Sequence, residues 1–238
     1  MNLKKPKMPN KVFNIPANYE FLPLVFDFLK SNFSDQISQI KVFLPNRRSC
    51  RELKNIFAAH SASSLLPQIK AISDISYEDF FDFSDNVNEE IINQILEIKP
   101  LSRIDYLLFL SKEIQNLEAF GKNLEFDQAF KIATNLQDLF EDFEKEEISF
   151  EKISDIDDSN LSLHRQITLD FLKAFYVKIK NSLIKNNFFS ESSRQNFIIK
   201  KYVEILEKSP SRKPIIIAGS TGSANFSRKL IKAITNQE

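Results

Sequence analysis

With 238 residues, 42% of them hydrophobic and 12% aromatic, the chain has apolar material for one sizeable core or two modest ones, so it should fold. Its apolar runs, such as Ile215 to Ala218, fall far short of the ~20 residues that a membrane helix needs. Zero net charge hides an uneven distribution: residues 1–72 carry 11 bases and 4 acids, residues 73–158 carry 7 and 23, and residues 159–238 carry 14 and 5.

Basic ends could face a polyanion that the acidic middle would repel, or the charges could be ordinary solvated helix faces. The basic start, Met1 to Lys11, is followed by Val12-Phe13-Asn14-Ile15-Pro16, too short and interrupted for a secretory signal, so a cytoplasmic protein is expected. One cysteine, Cys50, excludes an internal disulfide and a Cys-rich metal site and reads as a small buried hydrophobe.

Taken in chain order, Lys11 to Ile15 reads as a first strand. Phe21, Leu22, Leu24, Val25, Phe28 and Leu29 then recur at helical spacing, with Asn18 as the expected N-cap. Ile40 to Leu44 reads as a second strand, followed by a helix from Arg47 to His60 with Leu53, Ile56 and Phe57 inward. Gln68 to Ile72 is the third strand. Strand–helix alternation with short connections predicts an α/β domain with a parallel sheet covered by helices.

From Glu89 onward the pattern changes. Glu89 to Glu97, Arg103 to Leu117, Phe126 to Phe143, Leu161 to Ile184 and Glu191 to Lys208 read as helices, and no strand signal interrupts them. Leu124, Phe130, Ala133, Leu136, Phe140 and Phe143 make one apolar stripe, with Gln137, Asp138, Glu141 and Glu144 opposite. Ser154 to Ser162 reads as an exposed loop. A fourth strand follows at Pro214 to Ala218. The expected organisation is an α/β domain over 1–86, a helical insertion over 87–208, and a return of the chain over 209–238.

Three strand-to-helix junctions could carry chemistry. The first, Ile15-Pro16-Ala17-Asn18-Tyr19-Glu20-Phe21, has neither glycine nor lysine, so it cannot cradle a triphosphate as a P-loop does. Gly121, Gly219 and Gly222 are the chain's three glycines, and ATP hydrolysis is not expected. The second junction places Asn46 as a helix cap and Arg47, Arg48 and Arg51 where phosphates could be gripped, or else at a plain exposed helix start. The third, Ala218-Gly219-Ser220-Thr221-Gly222-Ser223, could bond phosphates or bases through Ser220, Thr221 and Ser223, or be a tight turn with Ser223 as helix cap. His60 and His164 show no catalytic or metal-ligand spacing, and the acidic run Asp138, Glu141, Asp142, Glu144, Glu146, Glu147 reads as a solvated face. No cofactor is expected.

Two of these stretches, Val42-Phe43-Leu44-Pro45-Asn46-Arg47-Arg48 and Ile217-Ala218-Gly219-Ser220-Thr221-Gly222-Ser223, resemble the AddB family of bacterial double-strand break repair helicase–nuclease subunits, in its alphaproteobacterial form. Leu65-Leu66-Pro67-Gln68-Ile69 and Thr168-Leu169-Asp170-Phe171-Leu172 are similar to two further stretches in the same order. The resemblance implies an inactivated helicase-like, P-loop NTPase-like fold that holds DNA beside an AddA-like partner. It assigns single-stranded DNA contacts to Asn46, Arg47 and Arg48 in one loop and Ser220 and Thr221 in another. It also implies that the chain matches only the amino-terminal portion of such a subunit, as a piece, a split-gene product or a gene remnant. The expectation is therefore a non-catalytic DNA-binding or partner-binding module of recombination, or else a protein-interaction scaffold.

Overall fold

The computed structural model describes residues 12–60, 65–82, 89–117, 124–148, 163–209, 211 and 213–237. The chain forms two compact units, one of residues 1–88 and 198–238, the other of residues 89–197. Charge divides with them: 19 bases stand against 12 acids in the first, 13 against 20 in the second, or +7 and −7.

The first unit is built on a three-stranded parallel sheet. Its strands are β1 (Lys41–Leu44), β2 (Gln68–Ala71) and β5 (Ile215–Ile217), in the order β2-β1-β5. β1 is central, and none of its four residues is exposed. Alternation along the strands sorts side chains between two faces. Val42, Leu44, Ile69 and Ala71 join one cluster with Val25, Phe26, Leu29 and Phe33 of α1 (Phe21–Phe33) and Cys50, Leu53 and Phe57 of α2 (Arg47–His60). Phe43 meets the ring of Tyr202 edge-on at 6.3 Å, and Phe80 packs on the same ring at 5.6 Å. Tyr202 belongs to α7 (Glu191–Lys208), and Gln237, just past α8 (Asn225–Thr235), donates to the Leu206 carbonyl of α7 at 2.8 Å. The sheet is thus covered on both faces, as a parallel sheet with near-continuous apolar strands requires.

Three expectations are corrected here. Residues 12–16 form no strand, and Lys11 lies outside the described residues. The apolar side chains of this segment are taken up by helix packing instead, with Phe13 against Phe28 at 5.0 Å and Ile15 on the α1/α2 cluster. Pro16 has no N–H to give a ladder. Asn18 does not cap α1, because the cap position is Glu20 and no side chain bonds there. β2 ends one residue early, where Ile72 enters a 3-10 turn, Ile72–Asp74.

The second unit is mainly helical. It holds α3 (Glu89–Leu96), α4 (Arg103–Gln115), α5 (Phe126–Glu146), α6 (Leu163–Lys185) and the start of α7. Ala133, Leu136 and Phe140 of the expected α5 stripe are buried against Tyr106, Leu107 and Leu110 of α4 and Phe175, Tyr176 and Ile179 of α6, while Leu124, Phe130 and Phe143 pack at the margin. Ser102 caps α4 by accepting from the Asp105 amide at 3.2 Å, and its hydroxyl donates to the Asp105 carboxylate. A short parallel pairing of β3 (Lys99–Pro100) with β4 (Phe188–Phe189) corrects the expectation of an all-helical middle. Asn187, at φ 54°, turns the chain out of α6 and donates to the Glu97 carbonyl at 2.6 Å, bringing the two segments together. Residues 198–208, expected in the insertion, group with the sheet. The expected loop at Ser154 to Ser162 and the glycine at Gly121 lie outside the described residues.

Candidate nucleic-acid interface

β1 and β5 are parallel neighbours, with Phe43 opposite Ile217, so the chain leaves both strands at one rim of the sheet. The Ala218 amide donates to the Phe43 carbonyl at 3.0 Å, extending the ladder to the start of the loop. A Cβ built on Gly219 would stand 3.5 Å from Cγ of Pro45 and 2.8 Å from the ring of Phe21, so the β5–α8 loop, the β1–α2 loop and the start of α1 meet. The helix after β1 covers one face of the sheet, and the helix after β5 ends beside α7 on the other. That divergence between adjacent parallel strands is a topological switch point, where open α/β sheets place their ligands.

Asn46 caps α2 as expected, its Oδ1 accepting from the Ser49 amide at 2.9 Å. Arg47 is exposed, but its guanidinium makes a two-pronged ion pair with Asp74, Nε to Oδ2 at 2.8 Å and Nη2 to Oδ1 at 3.0 Å. The hydrogen bond from Arg47, above all, holds the Asp74 carboxyl below its usual range. Arg48 pairs with Glu52 one turn on, at 3.1 Å. Arg51 and Lys54 are exposed on the same side of α2 as Arg47, at spacings of four and three residues. The three bases span about 10 Å of helix. Cys50 is buried behind them, and burial raises its thiol pKa.

The loop after β5 is shaped by two left-handed glycines, Gly219 at φ 71° and Gly222 at φ 63°. Ser220 is half-buried and its Oγ accepts from the Gly222 amide at 3.3 Å, whereas Thr221 and Ser223 are exposed. Arg228 reaches back from α8 and donates to the carbonyls of Gly222 at 3.2 Å and Ser223 at 2.6 Å. Ser223 does not cap α8; Ala224 holds the cap position, one residue too late for that hydroxyl to serve.

Beneath the sheet lies a second polar cluster. Lys41 and Asp79 are each only 2% exposed and pair at 3.0 Å, while Lys70 of β2 holds both Asp79 oxygens at 2.9 and 3.0 Å. Burial alone would raise the Asp79 pKa, but the Ser76 amide, Lys70 and Lys41 together lower it. In the second unit, Glu144 departs from the solvated face expected of its neighbours: it is half-buried, accepts from the Ser190 hydroxyl, and burial raises its pKa. His60 Nδ1 lies 2.9 Å from the Ile56 carbonyl and its ring packs on Phe26, while the side chain of His164 lies outside the described residues.

Asn46, Arg47, Arg48, Arg51, Ser220, Thr221 and Ser223 are thus all carried by loops or helix starts at one sheet rim. Sequence reasoning missed Lys54, whose i+3 spacing from Arg51 was legible, and Asp74 and Arg228, which only the fold brings to the rim. No protein-family model matches the chain, and a search of curated proteins finds no significant similarity.

Proposed function

We propose that the chain is a non-catalytic, helicase-like α/β domain of AddB type that holds single-stranded DNA at the β1/β5 rim, in cooperation with an AddA-like partner. The observation that carries this reading is the convergence of the β1–α2 junction at Pro45 and Asn46 with the Gly219–Ser223 loop at one switch point, with Gly219 against Pro45. Arg47, Arg48 and Arg51 supply guanidiniums for phosphates, and Thr221 and Ser223 offer exposed hydroxyls and loop backbone nearby. The basic balance of this unit, +7 against −7 in the helical unit, supports the same assignment.

The test is fluorescence anisotropy with labelled oligonucleotides at several salt concentrations. The chain should bind single strands with an affinity that falls as salt rises, and Arg47→Ala/Arg48→Ala/Arg51→Ala should weaken it about five- to tenfold, at about 0.5 kcal/mol per lost contact. Binding unchanged by the triple replacement removes the reading. A second reading, a protein-interaction scaffold, is favoured by exposed apolar side chains in the helical unit, among them Leu96, Ile104, Ile167, Val177 and Ile184. It gains ground if the chain purifies with a protein partner and shows no salt-sensitive nucleic-acid binding.

A further inference from the structure

We propose that Asp74 gates the rim: it competes with nucleic-acid phosphates for Arg47, so that binding a strand exchanges one anion on this guanidinium for another. This rests on the single-strand reading above and adds to it a residue that sets affinity. Asp74 sits at the end of the 3-10 turn that follows β2, and β2 is parallel to β1 with Leu44 opposite Ala71, which delivers its carboxylate to the same rim as Arg47.

The pair uses Nε and Nη2 of Arg47 together, at 2.8 and 3.0 Å. That fork is the one a phosphate would take in the same two-pronged way, so the two anions exclude each other there. The partners are unequal. The Arg47 side chain is 83% exposed and the Asp74 side chain 29%, so the carboxylate is the fixed member and the arginine the one able to turn outward. Ser73 Oγ also donates to Asp74 Oδ1, at 3.3 Å. Among the described residues Arg51, one turn further along α2, makes no ion pair, so it is the guanidinium that meets a strand first and brings phosphate within reach of Arg47. An exposed ion pair is weak enough for such an exchange.

Asp74→Asn keeps the shape and removes the charge. In anisotropy titrations of the full chain with labelled oligothymidylate at one fixed salt concentration, it should tighten binding about two- to fivefold, the equilibrium equivalent of an exposed ion pair. In the Arg47→Ala background the same change should leave affinity where it was, because no guanidinium remains to be released. Three results overturn the gate. Asp74→Asn is silent, and Asp74 is then inert; it weakens binding, and Asp74 then orients Arg47; or it tightens binding equally with and without Arg47, and its charge then acts only through space. Asp74→Ala, run beside it, separates loss of charge from any hydrogen bond that Asn retains, and should tighten binding in the same direction. If no form of the chain binds the oligonucleotide, the parent reading fails and the gate with it, whereas wild-type binding left unchanged by Asp74→Asn defeats the gate alone.

Discussion

Gly219 is held by two separate constraints. Its φ of 71° lies where side chains with a Cβ are strained, and a Cβ there would stand 2.8 Å from Cζ of Phe21 and 2.9 Å from Cε1. Gly219→Ala should therefore destabilise the sheet unit by about 1–3 kcal/mol, the sum of a backbone penalty and overpacking. Urea unfolding measures it, and Phe21→Leu in the same chain should recover the steric part while leaving the backbone part. A Gly219→Ala protein as stable as the parent would mean that Phe21 and the β5 loop do not meet as described. This contact was not legible in the sequence, because Phe21 reads only as the first apolar residue of an amphipathic helix. The Asn46 cap was legible, since its role needs nothing but the amide three residues on.

At the scale of elements, β1, β2 and the 3-10 helix Tyr77–Asp82 are clipped together by Asp79, which accepts from Lys41, Lys70 and the Ser76 amide. Removing the carboxylate takes from Lys41, itself only 2% exposed, a counter-charge that it bonds at 3.0 Å. Asp79→Asn should cost about 3–5 kcal/mol, the usual penalty for breaking a buried pair from one side. Because the folded-state pKa of Asp79 lies below the usual carboxylate range, its contribution is fully present above that range and is lost as pH falls through the lowered folded-state pKa. Denaturant midpoints measured from neutral to acid pH should converge for parent and Asp79→Asn at the acid end; parallel curves would sink the assignment. α2 and α5 were readable because each carries a helical period of burial, and β1 because it is a short buried run that ends at Pro45. The first strand was misread because Phe13 and Ile15 look the same whether they pack on a sheet or on α1, and only the missing ladder tells the two apart. The β3/β4 pair left no trace, since two residues are too few to show alternation; nor did the Asp79–Lys41 pair, whose members meet across 38 positions that no local pattern connects.

For the whole molecule, charge decides where a polyanion can lie. The helical unit carries −7 and the sheet unit +7, so a nucleic-acid strand is attracted to one and repelled by the other. Within the sheet unit, the exposed bases lined up on one side of α2 are Arg47, Arg51 and Lys54. If these three carry the phosphate contacts, the logarithm of the binding constant should fall with the logarithm of salt concentration with a slope of about −2, because each contact with a single strand releases about 0.7 counterion. Replacing any one of them with alanine should flatten that slope by about 0.7. Arg48→Ala should change it less, because Arg48 faces Glu52 and lies off the stripe. A slope that stays steep after all three are replaced would move the phosphate path off α2, and a flat slope in the parent chain would leave the rim without a polyanion to hold.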